Sequence, residues 1–232
     1  MEDSPLLDLF NMSFKEGKLP DEWKAGLIYP LPIGDQDYRP ITLTSCMCKM
    51  MERIVLNRLL YKLGDLMSPN LFGFIGGKST MDCVIKCLSN PNINCRVFVD
   101  LKSAFDKANH DVILEELVHK GIKGRLLKWI GDYLCGRRSI VYFQGFESHE
   151  MNFELGTPQG GVLSPMLFNI LMNRIGRHNF PHGTQVLIYA DDILVQCVNE
   201  QVLTQALAEL ESLCLYMGLV INGEKTKYQS KD

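Results

Sequence analysis

The sequence has no long hydrophobic run. Nowhere in its 232 residues does an apolar stretch approach the roughly 18–20 residues that a membrane-spanning helix needs, so no membrane partner is expected. The start, Met1-Glu2-Asp3-Ser4-Pro5, is acidic and lacks the basic-then-apolar character of a secretory leader. No C-x-x-C pair occurs among the eight cysteines, Cys46, Cys48, Cys83, Cys87, Cys95, Cys135, Cys197 and Cys214, and no nearby histidine completes a zinc pattern. The thiols are therefore expected to be reduced and mostly buried. Internal repeats and low-complexity segments are also missing, which excludes a solenoid. Finally, there is no positive excess. The net charge of −3 is unlike many nucleic-acid-binding domains, although binding needs only a local track. Lys123, Arg125, Lys128, Arg137 and Arg138, then Lys225 and Lys227, are the candidates for one. A solvated helix face plus a turn explains them equally well.

What is present is an ordinary globular composition, 46% hydrophobic. An amphipathic helix is expected over 6–16, ending at Gly17. A strand follows at 25–29, stopped by Pro30 and Pro32, with a loop at Gly34-Asp35. Met47, Met50, Met51, Ile54, Leu56 and Leu59 fall mostly at helical spacing within 45–63, and Gly64 ends that helix. Ser79 can cap a helix through 88. Residues 96–100 form an apolar strand ending in an acid. Helices near 110–120 and 124–134 precede a hairpin from 139–143 and 149–153. A helix from about 162 to 174 leads to two strands, 186–189 and 193–195, that flank Ala190-Asp191-Asp192. A last helix spans 202–217, with Gly218 at its C-terminal end. The order implies an α+β fold, with helices backing a mostly antiparallel sheet.

Three aspartates stand out by position. Asp100 ends one apolar strand, and Asp191 and Asp192 sit on the turn between two others. Carboxylates gathered at a sheet rim repel one another unless a cation cancels the charge. Mg²⁺ takes a few carboxylates plus substrate phosphates, and two such ions can stabilise both oxygens of a phosphoryl transfer. The bland alternative for Ala-Asp-Asp is a polar β-turn.

Seven segments in order carry a resemblance: WKAGLIYP (23–30), YRPITLTS (38–45), FGFIGGKST (72–80), FVDLKSAFD (98–106), GTPQGGVLSP (156–165), YADD (189–192) and GLVINGEKTK (218–227). Together they resemble the reverse-transcriptase domain of non-LTR (LINE-type) retrotransposons over nearly the whole chain. The group II intron type shares the QGG and YADD elements and is the nearest rival; YRPITLTS fits the LINE type better.

The resemblance implies a polymerase right hand, with partial fingers over 1–95 (1–20 as an extension) and mainly palm over 96–232, where 124–155 contributes a hairpin. It implies two-metal transfer of a nucleotide from a dNTP to a primer 3′-hydroxyl, with two Mg²⁺ ions or Mn²⁺ in their place, an RNA template, a DNA primer and no small-molecule cofactor. Asp100, Asp191 and Asp192 match the catalytic carboxylates. Asp100 and Asp191 do most of the metal binding there, and the carbonyl of Leu101 is a further ligand. Phe105 stands at the steric-gate position; an ordinary core aromatic is its alternative. Asp106 is matched to a structural role. Arg39 is matched to the nucleotide's phosphates, and Gln159, Gly160 and Gly161 to nucleotide and template, since glycines let a backbone approach a ligand closely. Tyr189 and Ala190 shape the turn and touch the primer end. Lys225, with Lys227 as rival, is matched to protonation of the pyrophosphate.

Departures from the family pattern are equally visible. The loop between Pro32 and Arg39 is short and lacks a lysine, residues 89–95 are short, and Ile75 stands where an arginine is usual. A primer-grip hairpin, a thumb and an endonuclease are expected outside this stretch, which reads as a piece of a longer element. An inactive remnant with at most nucleic-acid binding is the alternative. The family's life cycle implies an intracellular location, in cytoplasm and nucleus.

Overall fold

The computed structural model describes residues 4–34 and 37–231; Asp35 and Gln36 of the short loop lie outside the described residues. In chain order the elements are α1 (Pro5–Glu16), α2 (Asp21–Lys24), β1 (Ala25–Ile33), β2 (Asp37–Thr44), α3 (Cys46–Leu63), α4 (Thr80–Leu88), β3 (Cys95–Val99), α5 (Ala104–Lys107), α6 (His110–His119), α7 (Arg125–Leu134), β4 (Arg137–Phe143), β5 (Phe146–Glu147), β6 (Met151–Phe153), α8 (Ser164–Arg177), β7 (Thr184–Tyr189), β8 (Asp192–Cys197), α9 (Glu200–Tyr216) and β9 (Lys227–Ser230). They form two compact units, each discontinuous in sequence: 1–64 with 110–164, and 65–109 with 165–232.

The first unit is built on a sheet in the order β2-β1-β4-β5, with β6 also on β4. It is mixed rather than antiparallel, because β1 and β4 run parallel over Ala25–Ile28. Pro30 and Pro32 do not end β1, which continues to Ile33 against β2. Pro30 faces Pro40 and Pro32 faces Tyr38. At these positions the missing N–H groups point to the side that β4 no longer covers, where a strand tolerates proline. β2 itself was not foreseen, because its sequence, DYRPITLT, carries a proline and little alternation.

Helix α7 presents Leu126, Trp129, Ile130, Tyr133 and Leu134 to the core. It packs on α1, where the Trp129 indole N–H donates to Ser13 Oγ at 3.0 Å. Truncating such a buried Trp costs about 3–5 kcal/mol. On α3 the buried stripe is Cys48, Met51, Glu52, Val55, Leu59 and Leu63. Met47, Met50 and Ile54, noted for their helical spacing, are exposed. This helix carries apolar residues on several sides, so periodicity alone does not choose the stripe, and an acid fills one of the core slots.

The second unit holds an all-antiparallel sheet, β7-β8-β3-β9, backed by α9 across β3, β7 and β8. Val97, Val99, Val186, Ile188, Ile193 and Val195 are buried, while Phe98 on the alternate face is exposed. Most of α8 is buried, from Met166 to Met172 and again at Ile175, with Asn169 and Asn173 as buried polar members. β9 was missed because Lys-Tyr-Gln-Ser has no apolar pattern.

All eight cysteines are free thiols; Cys48, Cys95, Cys197 and Cys214 are buried, but Cys46 and Cys135 are exposed. Among the described residues no helix is long and apolar enough to cross a membrane.

Candidate active site

Strands β3 and β8 bring the first acid to the pair. Their register sets Val99 against Ile193, so Asp100 and Asp192 occupy the next cross-strand step. Tyr189 pairs with Asp192 across the β7–β8 hairpin, which leaves Ala190 and Asp191 as its two-residue turn. Ala190 has φ 57°, as tight hairpin turns require, at roughly 1 kcal/mol or more for a residue with a Cβ.

The surroundings hold that turn in place. Residues 70–72 lie along β7: the Ile188 N–H donates to the Asn70 carbonyl at 2.9 Å, and the Phe72 N–H donates to the Ile188 carbonyl at 2.9 Å. Gly73 then passes so close that a Cβ there would meet the Ala190 backbone nitrogen. The Asn169 amide fixes the Gly73 carbonyl at 2.7 Å.

Asp100 is clamped by the segment after α9. The Asn222 side-chain amide donates to Asp100 Oδ2 at 2.9 Å, and the Asn222 backbone N–H donates to the Asp100 carbonyl at 2.8 Å. Thr226 Oγ1 accepts from the Asp100 N–H at 3.4 Å. Leu101 bridges to Ile221 through the Asp100 carbonyl and the Lys102 N–H, so its own carbonyl is outside that pairing. Sequence reasoning missed Asn222, Thr226 and Gly73. The GLVINGEKTK and FGF segments were noted, but only charged residues and family positions were singled out from them.

Partial desolvation, then the negative charges of Asp191 and Asp100, raises the Asp192 carboxyl above the usual range. Lost hydration and neighbouring like charge both disfavour the ionised form. Among the described residues, no three acidic, histidine or cysteine side chains close into a cage able to hold a metal. Asp100, Asp191 and Asp192 therefore do not form a preformed all-protein cage.

A cavity of about 580 Å³ adjoins the pair, lined by Val84, Cys87, Leu88, Phe98, Leu187 and Leu194, with Asp100, Tyr189, Asp192 and Lys225 among its polar members. Its walls are too apolar for a triphosphate, so it flanks the carboxylates rather than forming a nucleotide pocket. Lys225 is thus placed with the acids; Lys227 sits on β9 opposite Phe98. Asp191 stays on the turn, outside that lining. Phe105, half-buried on α5, stacks on Phe168 with ring centroids 4.2 Å apart and meets Phe74 edge-on at 6.2 Å.

The remaining candidates belong to the first unit. Arg39 is exposed on β2. The Gln159 carbonyl accepts from the Thr42 N–H at 2.7 Å. Gly160 has φ 138°, and a Cβ there would strike the Thr42 carbonyl; one on Gly161 would strike Tyr133 and Ser164. Both glycines therefore let the loop approach the protein itself, a reason the sequence reading did not give. Arg137 leaves the proposed basic track, because it is buried and donates to the Tyr133 carbonyl at 3.1 Å. Arg138 pairs with Glu150 at 3.5 Å.

Comparison with known proteins identifies the family. The family model described as reverse transcriptase (RNA-dependent DNA polymerase) matches residues 29–232. The probable RNA-directed DNA polymerase from transposon BS of Drosophila melanogaster is 27% identical over 94% of this chain and 27% of its own length. The Pol polyprotein of the type-1 retrotransposable element R1 of Bradysia coprophila is 30% identical over 90% of the chain and 22% of its own. The chain thus spans about a quarter of the length of these curated relatives. Among solved structures, apo telomerase of Candida tropicalis lacking its C-terminal domain superposes with a TM-score of 0.70 at 15% identity, covering 98% of this chain and 55% of that one. Telomerase of the same organism bound to a fragment of telomeric RNA gives 0.70 at 13% identity, over 98% and 44%. At such identity the likeness is one of fold: the right-hand polymerase architecture. The curated relatives named here come from mobile elements, and the chain belongs to the reverse transcriptase (RNA-dependent DNA polymerase) family.

Proposed function

We propose that this chain is the polymerising part of a retrotransposon protein, copying an RNA template by adding dNTPs to a DNA primer's 3′-hydroxyl inside the cell. The observation that carries the reading is the cross-strand placement of Asp100 and Asp192, with Asp191 on the intervening turn, in a chain of this family. Asp100, Asp191, Asp192 and the Leu101 carbonyl would hold divalent ions, two Mg²⁺ or Mn²⁺ in their place. Those ions, when bound, supply charge stabilisation at the attacking and leaving oxygens.

The chain's own residues do the rest. Asn222 and Thr226 keep Asp100 in one orientation. The braced Ala190 turn, with Tyr189 beside it, fixes the height of Asp191 and Asp192 beneath the primer end. Phe105, immobilised on Phe168, sets a floor beneath the sugar that excludes a 2′-hydroxyl. Arg39 neutralises triphosphate charge, Gln159 to Gly161 contact nucleotide and template, and Lys225 donates a proton to the departing pyrophosphate.

Primer extension on an RNA template with Mg²⁺ tests the assignment. The wild-type chain is expected to extend the primer and Asp191→Asn to lose that activity. Equal extension by both proteins would refute the roles given to these acids.

A further inference from the structure

Glu52 is fully buried in the middle of α3. Taking a carboxylate out of water costs several kcal/mol even after relaxation, so its retention needs a reason. Leucine of similar size would pack there without that penalty. The reason lies in what the carboxylate holds. Oε2 accepts from the Leu163 backbone N–H at 2.9 Å and from the Tyr133 hydroxyl at 3.1 Å. Oε1 accepts from the Cys48 thiol at 3.5 Å. Burial first, then the charge of Glu52, raises both the thiol and the phenol, so both keep their protons and remain donors. The positive charge of buried Arg137 reaches the same group: it opposes both shifts, and its guanidinium lies 4.8 Å from the Tyr133 ring centre. The Tyr133 hydroxyl also stands 3.3 Å from Ser164 Oγ.

Two of these contacts, at Leu163 and Ser164, fasten the far end of one short loop. Its near end is fastened where the Gln159 carbonyl meets Thr42. Gly161 is glycine because Tyr133, Ser164 and Glu52 fill the space of a side chain. Between the two fastenings, Gly160 is exposed. The loop is tied from behind and open in front.

We propose that Glu52 is a positioning residue: it anchors the 158–163 loop from within α3 and thereby sets how that loop meets an incoming dNTP. The role of the loop rests on the polymerase reading above; the anchoring rests on this unit's own geometry.

Three variants of the full chain test it: Glu52→Leu, Glu52→Gln and Tyr133→Phe. Glutamine can turn its carbonyl toward Leu163 and Tyr133 and its amide toward the Cys48 sulfur, so it rescues the anchor; leucine cannot. Two readouts are needed, amide hydrogen exchange across 158–164 and the KM for dNTP in primer extension, with thermal melting to confirm folding. Glu52→Leu is expected to exchange faster at Leu163 and to raise KM on the order of ten- to a hundred-fold, because small misplacements of positioning groups carry large kinetic penalties, with kcat changed less. Glu52→Gln stays near wild type, and Tyr133→Phe, which keeps the Leu163 bond, falls between. If Glu52→Leu does not fold, Tyr133→Phe decides, since it removes only a hydroxyl. A folded Glu52→Leu with wild-type exchange and wild-type KM overturns the proposal, as does a Tyr133→Phe variant unchanged in both where leucine gives no folded protein. Faster exchange in the leucine variant together with no extension by the wild-type chain upholds the anchor and overturns the polymerase reading on which its consequence for dNTP depends.

Discussion

The two units treat their acids in opposite ways. In the first, Glu52 is fully buried, yet three donors face it and a buried arginine is close enough to oppose its field. In the second, Asp192 is largely exposed, yet its carboxyl is raised by desolvation and by Asp191 and Asp100. Desolvation and neighbouring like charge act on Asp192, whereas hydrogen-bond donors meet the buried Glu52. A buried acid met by donors fixes a shape, whereas like-charged acids brought close favour a cation among them. Under the proposed function, structure-setting work falls to one unit and metal-dependent chemistry to the other.

The strongest way to break this contrast is to remove an acid from the strained set. Asp100→Asn should lower primer extension by about 10²–10³-fold, a loss of the size seen when one charge-stabilising group leaves a reaction centre, with the fold intact by circular dichroism. Retained activity would mean the set is not catalytic. Next comes Gly160→Ala, which forces a side chain toward the Thr42 carbonyl at a φ that L-residues avoid. It should destabilise the chain by about 2–3 kcal/mol in denaturant titration; a smaller value would show that the loop gives way easily. Asn222→Ala removes the donor to Asp100 Oδ2 and should reduce extension about tenfold while costing about 1 kcal/mol of stability. A larger stability loss than activity loss would make Asn222 a structural clamp alone.

The smallest effect concerns pH. With its folded-state titration raised above the unfolded value, Asp192 holds its proton more tightly in the native chain. Stability therefore falls as pH rises through the carboxylate range. Asp192→Asn should raise Tm at neutral pH by a modest amount, and the gain should vanish under acid conditions where the wild-type carboxyl is protonated. Added Mg²⁺ should raise the Tm of wild type more than that of the variant, since a ligand of the native state stabilises it. A constant offset at every pH would trace the gain to something other than charge.

Much of this was legible in the sequence because the signals were local. Apolar runs on either side of Ala190-Asp191-Asp192 announce a hairpin, and Val97 to Asp100 a strand with an acid at its tip; the antiparallel sheet follows from them. The parts that were not legible depend on partners distant in the chain. β9 has four exposed residues and exists only because β3 offers an edge. β1 runs past two prolines because its pairing with β4 ends at Ile28. Glu52 was not singled out, since nothing near it in sequence reveals that Leu163 and Tyr133 come to meet it. Asn222 was hidden for the same reason, because its partner Asp100 is 122 residues away.

The facing prolines of β1 and β2 have one more consequence. Pro30, Pro32 and Pro40 leave the outer flanks of this ribbon without several amide hydrogens that a foreign strand would need for pairing. A sheet with apolar residues such as Leu31, Ile33 and Leu43 open to water is otherwise an invitation to self-association, and these imino acids spoil the template at which fibrillar stacking would begin.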